Sequence, residues 1–354
     1  IVGMNQMGTA LGLQTALQAH YPNFMRDKNL RTTITFIDDH AIDEGDFFRG
    51  RFETLFNLCR YRTVVCGKDK LEYSTAESDF IDPLENGQYS YLKEDYGNFL
   101  DIQWEFIQGN IASHEVKKYI NEIALDEKKT VTIAICFNHP QRSIAAALYL
   151  PGQVFRKVNQ VLVYQRNSFD MLNKVAEGEK EWKRYENLFP FGMIENSYTG
   201  DELENSFAVL QNYLFTKKYN KKILERLKAY DKELIPEIEQ SWSELGMVDK
   251  QSNLDLAESI YSKIRSLEIE YKGKLREYNG NPRLIELAIE DSDQVKAMAY
   301  SEHLRWLLER LAIGFRPLNE FEYKQIIDGK KTKEFFEKNE ALEREAYLKE
   351  KESV

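Results

Sequence analysis

The chain begins with the stretch Ile1-Val2-Gly3-Met4-Asn5-Gln6-Met7-Gly8-Thr9-Ala10-Leu11-Gly12. Apolar β-branched residues, a turn with two glycines and a run of small and apolar residues are typical of a buried strand that turns tightly into a helix. A second apolar run, Ile34-Thr35-Phe36-Ile37, follows one helix-length later and ends in the carboxylates Asp38 and Asp39. This order of strand, glycine turn, helix and acid-tipped strand predicts a βαβ unit at the start of the chain.

Only Ile1 and Val2 represent the first strand of this unit, whereas strands usually have about 5–6 residues. The chain also begins without an initiator methionine. We therefore expect the sequence to be a fragment of a protein that continues upstream. One expectation for the upstream part is a membrane or effector domain.

Composition excludes several classes of protein. The 354 residues are enough for two domains at about 150 residues each, and the charged fraction of 30% is typical of a globular protein. A net charge of −10 argues against broad nucleic-acid binding, which needs a basic surface. The cysteines Cys59, Cys66 and Cys136 are too scattered for a disulfide framework or a zinc ribbon, so we expect a reducing, cytoplasmic setting. No apolar run approaches the roughly 18 residues of a membrane span.

Up to about residue 200, short apolar runs alternate with segments of helical pattern. The predicted strands are 34–37, 102–107, 131–136, 160–164 and 189–194, and the predicted helices are 9–20, 113–127, 142–150 and 168–176. This alternation predicts an α/β fold with a doubly wound, mainly parallel sheet. The connection between Asp39 and Ile102 is far longer than a plain crossover needs, so we interpret 43–100 as a long insertion whose first part, 43–60, is helical.

After residue 200 the pattern is helical throughout. The predicted helices are 201–229, 231–246, 252–271, 282–290 and 292–313, with Ser252 as an N-cap. We therefore expect an all-α domain over 201–319, followed by a charged C-terminal helix or tail over 320–354 that is rich in Glu and Lys.

The glycine turn and the ends of the strands contain the candidate nucleotide-binding residues. A Rossmann loop needs small residues where backbone amides at a helix N-terminus approach a pyrophosphate; Gly3 would permit the tight turn, and Gly8 would let helix and strand pack closely. Asn5 stands where glycine is usual; asparagine tolerates left-handed backbone angles, but its side chain can crowd a pyrophosphate. Asp38 is suited to accept hydrogen bonds from a ribose diol, which favours NAD or an adenine nucleotide over NADP. The full candidate set is Gly3, Met4, Asn5, Gln6, Met7, Gly8, Asp38, Asp39, Gly109, Asn110, Phe137 and Asn138.

The segment 1–17 resembles the start of the TrkA-N, or RCK, regulatory domains of bacterial potassium transport systems. The segments 106–111 and 135–147 resemble that family's third strand end and its fourth strand with the following helix. The chain departs from the family at Asn5, at Asn110 and in the long insertion. The resemblance covers about residues 1–200 and implies a Rossmann-like domain that binds NAD or another nucleotide, forms a homodimer and regulates ion transport.

Two blocks of the helical part, 242–263 and 302–314, resemble the RyR domain, a repeat named after ryanodine receptors and found in bacterial proteins. The resemblance covers about 235–318 and departs at Phe315, where Trp is common. It implies ligand sensing without an established reaction, and bacterial chains that fuse it to a TrkA-N-like domain form a recognisable class. The candidate residues for a second ligand are Trp242, Asn253, Glu302, His303, Arg305 and Trp306.

This second set has two interpretations. In one, Trp242 or Trp306 stacks on a base and Arg305 meets a phosphate. In the other, the residues form an interhelical polar cluster with Trp306 in the core.

Familiar catalytic motifs are missing from the sequence. No metal-ligand spacing, nucleophile elbow or Walker loop is present, and we expect no metal. His139 is the one residue considered as an acid or base for hydride transfer. The aromatic and basic stretch with Arg49, Arg51, Arg60 and Arg62 is interpreted as an amphipathic helix that packs its Phe face on the sheet or a partner subunit, with phosphate or RNA binding as the alternative.

Three functions stay open. The first is a non-enzymatic regulatory module that senses a nucleotide and a second ligand and controls ion transport or another upstream effector. The second is an NAD-dependent oxidoreductase with a helical substrate domain. The third is an interaction scaffold whose nucleotide site has decayed.

Overall fold

The computed structural model of the chain describes residues 1–67, 71–73, 80–85, 87–96, 99–166, 184–193, 202–270, 292–327 and 329. The predicted helices 168–176 and 282–290 lie outside these residues, as does all but the start of the predicted tail 320–354.

The described residues form a mainly parallel, open sheet. Its strands are β1 (Thr32–Asp38), β2 (Arg60–Cys66), β3 (Leu71–Tyr73), β4 (Ile102–Gln108), β5 (Thr132–Ile135), β6 (Gln160–Tyr164) and β7 (Leu188–Phe191). They pair in the orders β3-β2-β4-β1 and β5-β6-β7, and only the pair β2–β3 is antiparallel. Val2 joins the two groups through parallel bridges to Ile37 of β1 and Ile135 of β5. The predicted strands are confirmed, and β2 and β3 are additional strands within the predicted insertion.

Helices cover both faces of this sheet. In the first part of the chain they are α1 (Gln6–Gln18), α2 (Asn23–Arg26), α3 (Ala41–Arg51), α4 (Glu53–Phe56), α5 (Ser90–Tyr96), α6 (His114–Leu125), α7 (Pro140–Leu148) and α8 (Val154–Lys157). Successive residues of a strand point to opposite faces. Phe36 and Phe106 therefore share a buried cluster with α1 and α3, whereas Ile37 and Ile107 share another with α6 and α7.

An aromatic cluster fills the face that α3 and α4 cover. The ring centroids of Phe48 and Phe56 lie 5.3 and 5.4 Å from that of Trp104. Burying each such ring contributes roughly 1.5–3 kcal/mol. The predicted packing of the Phe-bearing segment on the sheet is confirmed, but the helical region ends at Phe56. Arg60 and Arg62 belong to β2 because the β-branched run that follows them favours a strand, in which Val64 is buried.

The described residues of the C-terminal part are helical, as predicted. Its elements are α9 (Glu202–Thr216), α10 (Lys221–Lys228), a 3-10 turn (Lys232–Leu234), α11 (Ile235–Ser243), α12 (Met247–Glu270), α13 (Ser292–Ala312) and α14 (Glu320–Ile327). The predicted helix 201–229 is interrupted where Lys218 and Tyr219 adopt φ angles of 51° and 50°. Helix α12 begins at Met247, so the prediction of Ser252 as its N-cap is wrong. Within the described ranges, no helix combines the length and the apolar character needed to cross a membrane.

The C-terminal helices pack directly on the α/β part. Leu308 and Leu311 of α13 belong to the same buried cluster as Phe36 and Trp104. Tyr323 of α14 stacks on Tyr91 with ring centroids 4.4 Å apart. Helix α1, which begins at the glycine turn, also contacts α12 and α13.

Candidate functional site

The turn between Val2 and α1 requires both of its glycines. Gly3 has a φ of 99°, and a Cβ atom there would lie 2.8 Å from the carbonyl oxygen of Cys136. A Cβ atom at Gly8 would lie 1.9 Å from the carbonyl oxygen of Gly3, so any side chain there forces the helix away from the turn. Burial raises the pKa of the neighbouring Cys136 thiol to about 11, which keeps it protonated at neutral pH.

Asn5 caps helix α1. Its φ of −72° and ψ of −178° are extended, so the left-handed backbone considered for this position is not adopted. Its Oδ1 accepts a 2.9 Å hydrogen bond from the N–H of Gly8, and its Nδ2 donates to the carbonyl oxygen of Cys136. The side chain satisfies one amide of the first helical turn and ties the turn to the end of β5. Gln6 and Met7 also lie in this first turn, whose amides have no acceptors within the helix.

Asp38, at the end of β1, binds the main chain on both sides. Its Oδ2 accepts a 2.9 Å hydrogen bond from the N–H of Met4, and its Oδ1 accepts one of 2.9 Å from the N–H of His40. The carboxylate is thereby fixed beside the glycine turn. Each oxygen retains acceptor capacity for a further donor.

Asp39 connects the end of β1 to two other loops. It accepts hydrogen bonds of 3.0 and 3.2 Å from Nδ2 of Asn110, and its Oδ2 lies 3.5 Å from Nη2 of Arg142 on α7. The Arg142 guanidinium is 4.3 Å from the ring centre of Phe137. Because Arg142 is 54% exposed, its ion pair with Asp39 contributes little to stability, and the guanidinium can turn towards an anion.

Two adjoining clefts open at the carboxyl ends of β1 and β5. The smaller has a volume of about 340 Å³ and is lined by Gly3, Asn5, Asp38, Asp39, His40, Phe137, Asn138, His139 and Arg142. The larger has a volume of about 420 Å³ and is lined by Met4, Asn5, Gln6, Thr9, Asp38, Glu44, Phe47, Phe48, Arg51 and Asn138. Asn5, Asp38 and Asn138 border both clefts, so the two form one crevice around the glycine turn.

Four predicted residues do not line the clefts: Met7 and Gly8 lie in the first turn of α1, and Gly109 and Asn110 have supporting positions. Gly109 donates its N–H to the carbonyl oxygen of Asp38, and a Cβ atom there would lie 2.7 Å from Cβ of Cys66. Asn110 holds Asp39 through the hydrogen bonds given above. Sequence reasoning missed the cleft-lining residues Thr9, His40, Glu44 and Arg142. For His40 and Arg142 a signal existed, because both follow a strand end that a parallel sheet brings to a common edge.

Helices α12 and α13 enclose a buried ionic network. Arg305, only 1% exposed, donates hydrogen bonds of 2.9 Å from Nε to Glu302 and from Nη1 to Glu309. Lys263 also donates to Glu302, and Ser252 donates a 2.7 Å hydrogen bond to Glu309. Burial lowers the pKa of Lys263, and the Glu302 carboxylate opposes that shift. The interhelical polar cluster of the second interpretation is therefore confirmed.

The remaining candidates for a second ligand lie on more exposed surfaces. His303 and Trp306 stack with ring centroids 6.1 Å apart, and Trp306 is 42% exposed, so the prediction that it lies in the core is wrong. Nζ of Lys250 lies 5.8 Å from the ring centre of Trp242, and Asn253 donates a 2.8 Å hydrogen bond to the carbonyl oxygen of Asp249. Glu302 and Arg305 are thus brought together, and so, separately, are His303 and Trp306.

No protein-family model matches the chain, and no curated protein or solved structure matches it either. The resemblances to the TrkA-N and RyR domains therefore stay predictions. In the part of the chain that the structure describes, no three histidine, cysteine, aspartate or glutamate side chains are grouped to hold a metal ion.

Proposed function

We propose that this chain is a nucleotide-sensing regulatory module with a Rossmann-like domain, and that NAD or an adenine nucleotide binds in the crevice around Gly3, Asn5 and Asp38. The observation that supports this most directly is the position of the crevice. It lies beside Val2, whose neighbours are β1 on one side and β5 on the other, at the carboxyl ends of these strands. In open α/β sheets, ligands bind at such a switch point of the strand order.

The chemistry of the crevice suits the parts of a nucleotide. A phosphate would accept hydrogen bonds from the first-turn amides of α1, at the positive end of the helix dipole. A ribose diol would donate to Asp38, which is already oriented by the Met4 and His40 amides. An adenine ring would lie in the smaller cleft, against Phe137 and the Arg142 guanidinium.

Helix α1 offers a route from this site to the C-terminal helices. Gln14 and Gln18 donate hydrogen bonds of 3.1 and 3.2 Å to Glu258 of α12, and Leu17 shares a buried cluster with Leu308. If α1 can adopt two positions, a ligand that binds the protein more tightly in one of them shifts the equilibrium towards that position. The size of the shift is set by the difference between its two affinities. From the family resemblances we further propose a homodimer that controls ion transport or another upstream effector.

Isothermal titration calorimetry against NAD, NADH, NADP, ATP and AMP tests nucleotide binding. We expect saturable binding of NAD or an adenine nucleotide, with NADP weaker than NAD because its 2′-phosphate meets Asp38. Asn138→Trp should abolish binding by filling the crevice from an exposed position, with an unchanged circular dichroism spectrum. Lys128→Trp is the matched control at an exposed loop residue that lines neither cleft. An absence of binding for all five nucleotides would contradict the proposal.

An NAD-dependent oxidoreductase is the second candidate, because His40 and His139 both line the smaller cleft. Either imidazole could exchange a proton with a substrate beside a bound nicotinamide. NADH oxidation with a panel of carbonyl compounds, lost in His139→Gln while NADH still binds, would favour the enzyme. Nucleotide binding without turnover would favour the regulatory module.

A further inference from the structure

Helix α10 and its flanking residues form a basic surface that lies outside the nucleotide crevice. Residues 217–232 include seven lysine or arginine residues and only two acidic ones, in a chain whose net charge is −10. Six of the seven are exposed lysines; Lys217 lies 3.5 Å from Glu237, and the other five are Lys218, Lys221, Lys222, Lys228 and Lys232. None of these five lysines forms an ion pair with another residue in the described ranges. Their charge is therefore directed to solvent or to a partner.

The same surface is also apolar. Ile223, Leu224 and Leu227 recur at helical spacing and are half-buried, so α10 has one apolar side. Two aromatic side chains that flank the helix in sequence are still more open, with Phe215 71% and Tyr230 90% exposed. Exposed large apolar side chains next to exposed lysines are typical of a surface whose partner presents both charged groups and an apolar region.

The backbone at both ends of α10 is unusual. Among the described residues, positive φ angles outside glycine occur only at Lys218, Tyr219 and Tyr230, the last with a φ of 54°. Tyr230 follows the C-cap Ala229, at the position where glycine commonly ends a helix. A bulky residue is unfavourable in this left-handed conformation. Tyr230 adopts this conformation while its ring is almost fully exposed, so the ring is open to a partner outside the fold.

We propose that residues 215–232 bind an anionic phospholipid membrane. The exposed lysines meet the headgroup phosphates, while the rings of Phe215 and Tyr230 enter the boundary between headgroups and acyl chains. Short basic amphipathic helices with aromatic neighbours bind membrane surfaces in this way. A nucleic-acid duplex would use the lysines but would leave the exposed rings of Phe215 and Tyr230 without a function, so a membrane accounts for more of the surface.

Vesicle sedimentation tests the proposal. The chain is mixed with vesicles of phosphatidylcholine alone and with vesicles of phosphatidylcholine and phosphatidylserine in equal parts. We expect binding only to the second kind, and weaker binding at high salt because ions screen the lysines. The double variant Lys221→Glu/Lys222→Glu should lower the partition coefficient by about tenfold or more. Both substitutions lie in the first turn of α10, where glutamate suits the helix dipole, so the fold is retained.

The matched control is Lys128→Glu/Lys129→Glu, which makes the same change in net charge at two exposed lysines outside this surface. It should bind anionic vesicles as the wild type does. An equal loss in both double variants would overturn the proposal, and so would an absence of binding to the phosphatidylserine vesicles. Binding of duplex DNA or polyglutamate in parallel assays, without vesicle binding, would also overturn it in favour of that partner.

Tyr230→Gly separates membrane binding from fold stability. Glycine is favourable at this left-handed position, so the variant should unfold at the same or a higher temperature. It should nevertheless bind the anionic vesicles several-fold more weakly, because the ring that enters the boundary is missing. Unchanged vesicle binding would refute the role of the Tyr230 ring.

Discussion

The main-chain N–H of Met4 donates a 2.9 Å hydrogen bond to Oδ2 of Asp38, which joins the glycine turn to the end of β1. The other carboxylate oxygen accepts from the N–H of His40, so the side chain is fixed from two sides. A group that is already held in place loses little conformational entropy on binding. A ribose diol would therefore meet a preformed acceptor at Asp38.

Asp38→Asn should weaken nucleotide binding and slightly destabilise the fold. The amide retains the shape of the side chain, but its NH2 group would face the N–H of either Met4 or His40. We expect the free energy of unfolding to fall by about 1 kcal/mol and the nucleotide affinity by about tenfold. Calorimetry and urea denaturation measure the two effects. Asp43→Asn is the control, at an exposed carboxylate in the first turn of α3, and an Asp38→Asn variant that binds like wild type would contradict the ribose role.

Asn5→Gly should lower the stability of the fold and raise its affinity for a nucleotide. The variant loses the cap on the Gly8 amide and the hydrogen bond to Cys136, so we expect the free energy of unfolding to fall by about 1–2 kcal/mol. Nucleotide affinity should rise, because glycine at this position lets a pyrophosphate approach the turn. Asn5→Ala loses the same hydrogen bonds but keeps a Cβ atom, so it should gain less affinity. Weaker binding by Asn5→Gly in calorimetry would show that the asparagine side chain contacts the ligand.

Most strands could be predicted because each is a short apolar run between helical segments; β6 has the predicted bounds, 160–164. Strand β2 could not be predicted in this way, because Arg60 and Arg62 interrupt its apolar pattern. The structure accommodates Arg62 through a 2.6 Å hydrogen bond from its Nε to Glu105, a fully buried residue of the neighbouring β4. A buried pair between strands depends on which strands become neighbours, and local sequence does not determine that.

The site could be predicted in part, for a similar reason. Gly3, Gly8 and Asp38 follow from local spacing, whereas Arg142 enters the crevice only because α7 and β1 meet at one edge of the sheet. The exposure of Trp306 likewise depends on which side of α13 packs. Leu304 and Leu308 are buried, and Trp306 lies between them in sequence but on the more exposed side.

Arg305→Ala should destabilise the chain more than Trp306→Ala. Removing Arg305 leaves Glu309 buried without its cation and Glu302 with Lys263 alone, which we expect to cost about 3–5 kcal/mol. Trp306 is 42% exposed, so its truncation should cost only about 1 kcal/mol. Urea denaturation followed by circular dichroism compares the two variants. The reverse order of stabilities would mean that the tryptophan, and not the ionic network, holds α12 and α13 together.

Two buried thiols predict a loss of stability in alkaline solution. Burial raises the pKa of Cys59 from 9.0 to about 12 and that of Cys136 to about 11. Above pH 9 the unfolded chain releases these protons while the folded chain still holds them. Their contribution to stability is therefore complete below pH 9 and is lost as the pH rises through the folded-state values. Each thiol lowers the free energy of unfolding by up to about 1.4 kcal/mol per pH unit in this range.

Cys59→Ala and Cys59→Ser test this prediction together. Urea denaturation on both sides of pH 9 gives the slope of the unfolding free energy against pH for each variant and for the wild type. The two variants differ in stability, because serine can replace the 3.1 Å hydrogen bond that Sγ donates to the carbonyl oxygen of Ile102, whereas alanine cannot. Both lack the thiol, so both should lose stability less steeply than the wild type above pH 9, and to the same extent. A wild-type slope in both variants would mean that Cys59 ionises as readily in the folded chain as in the unfolded one.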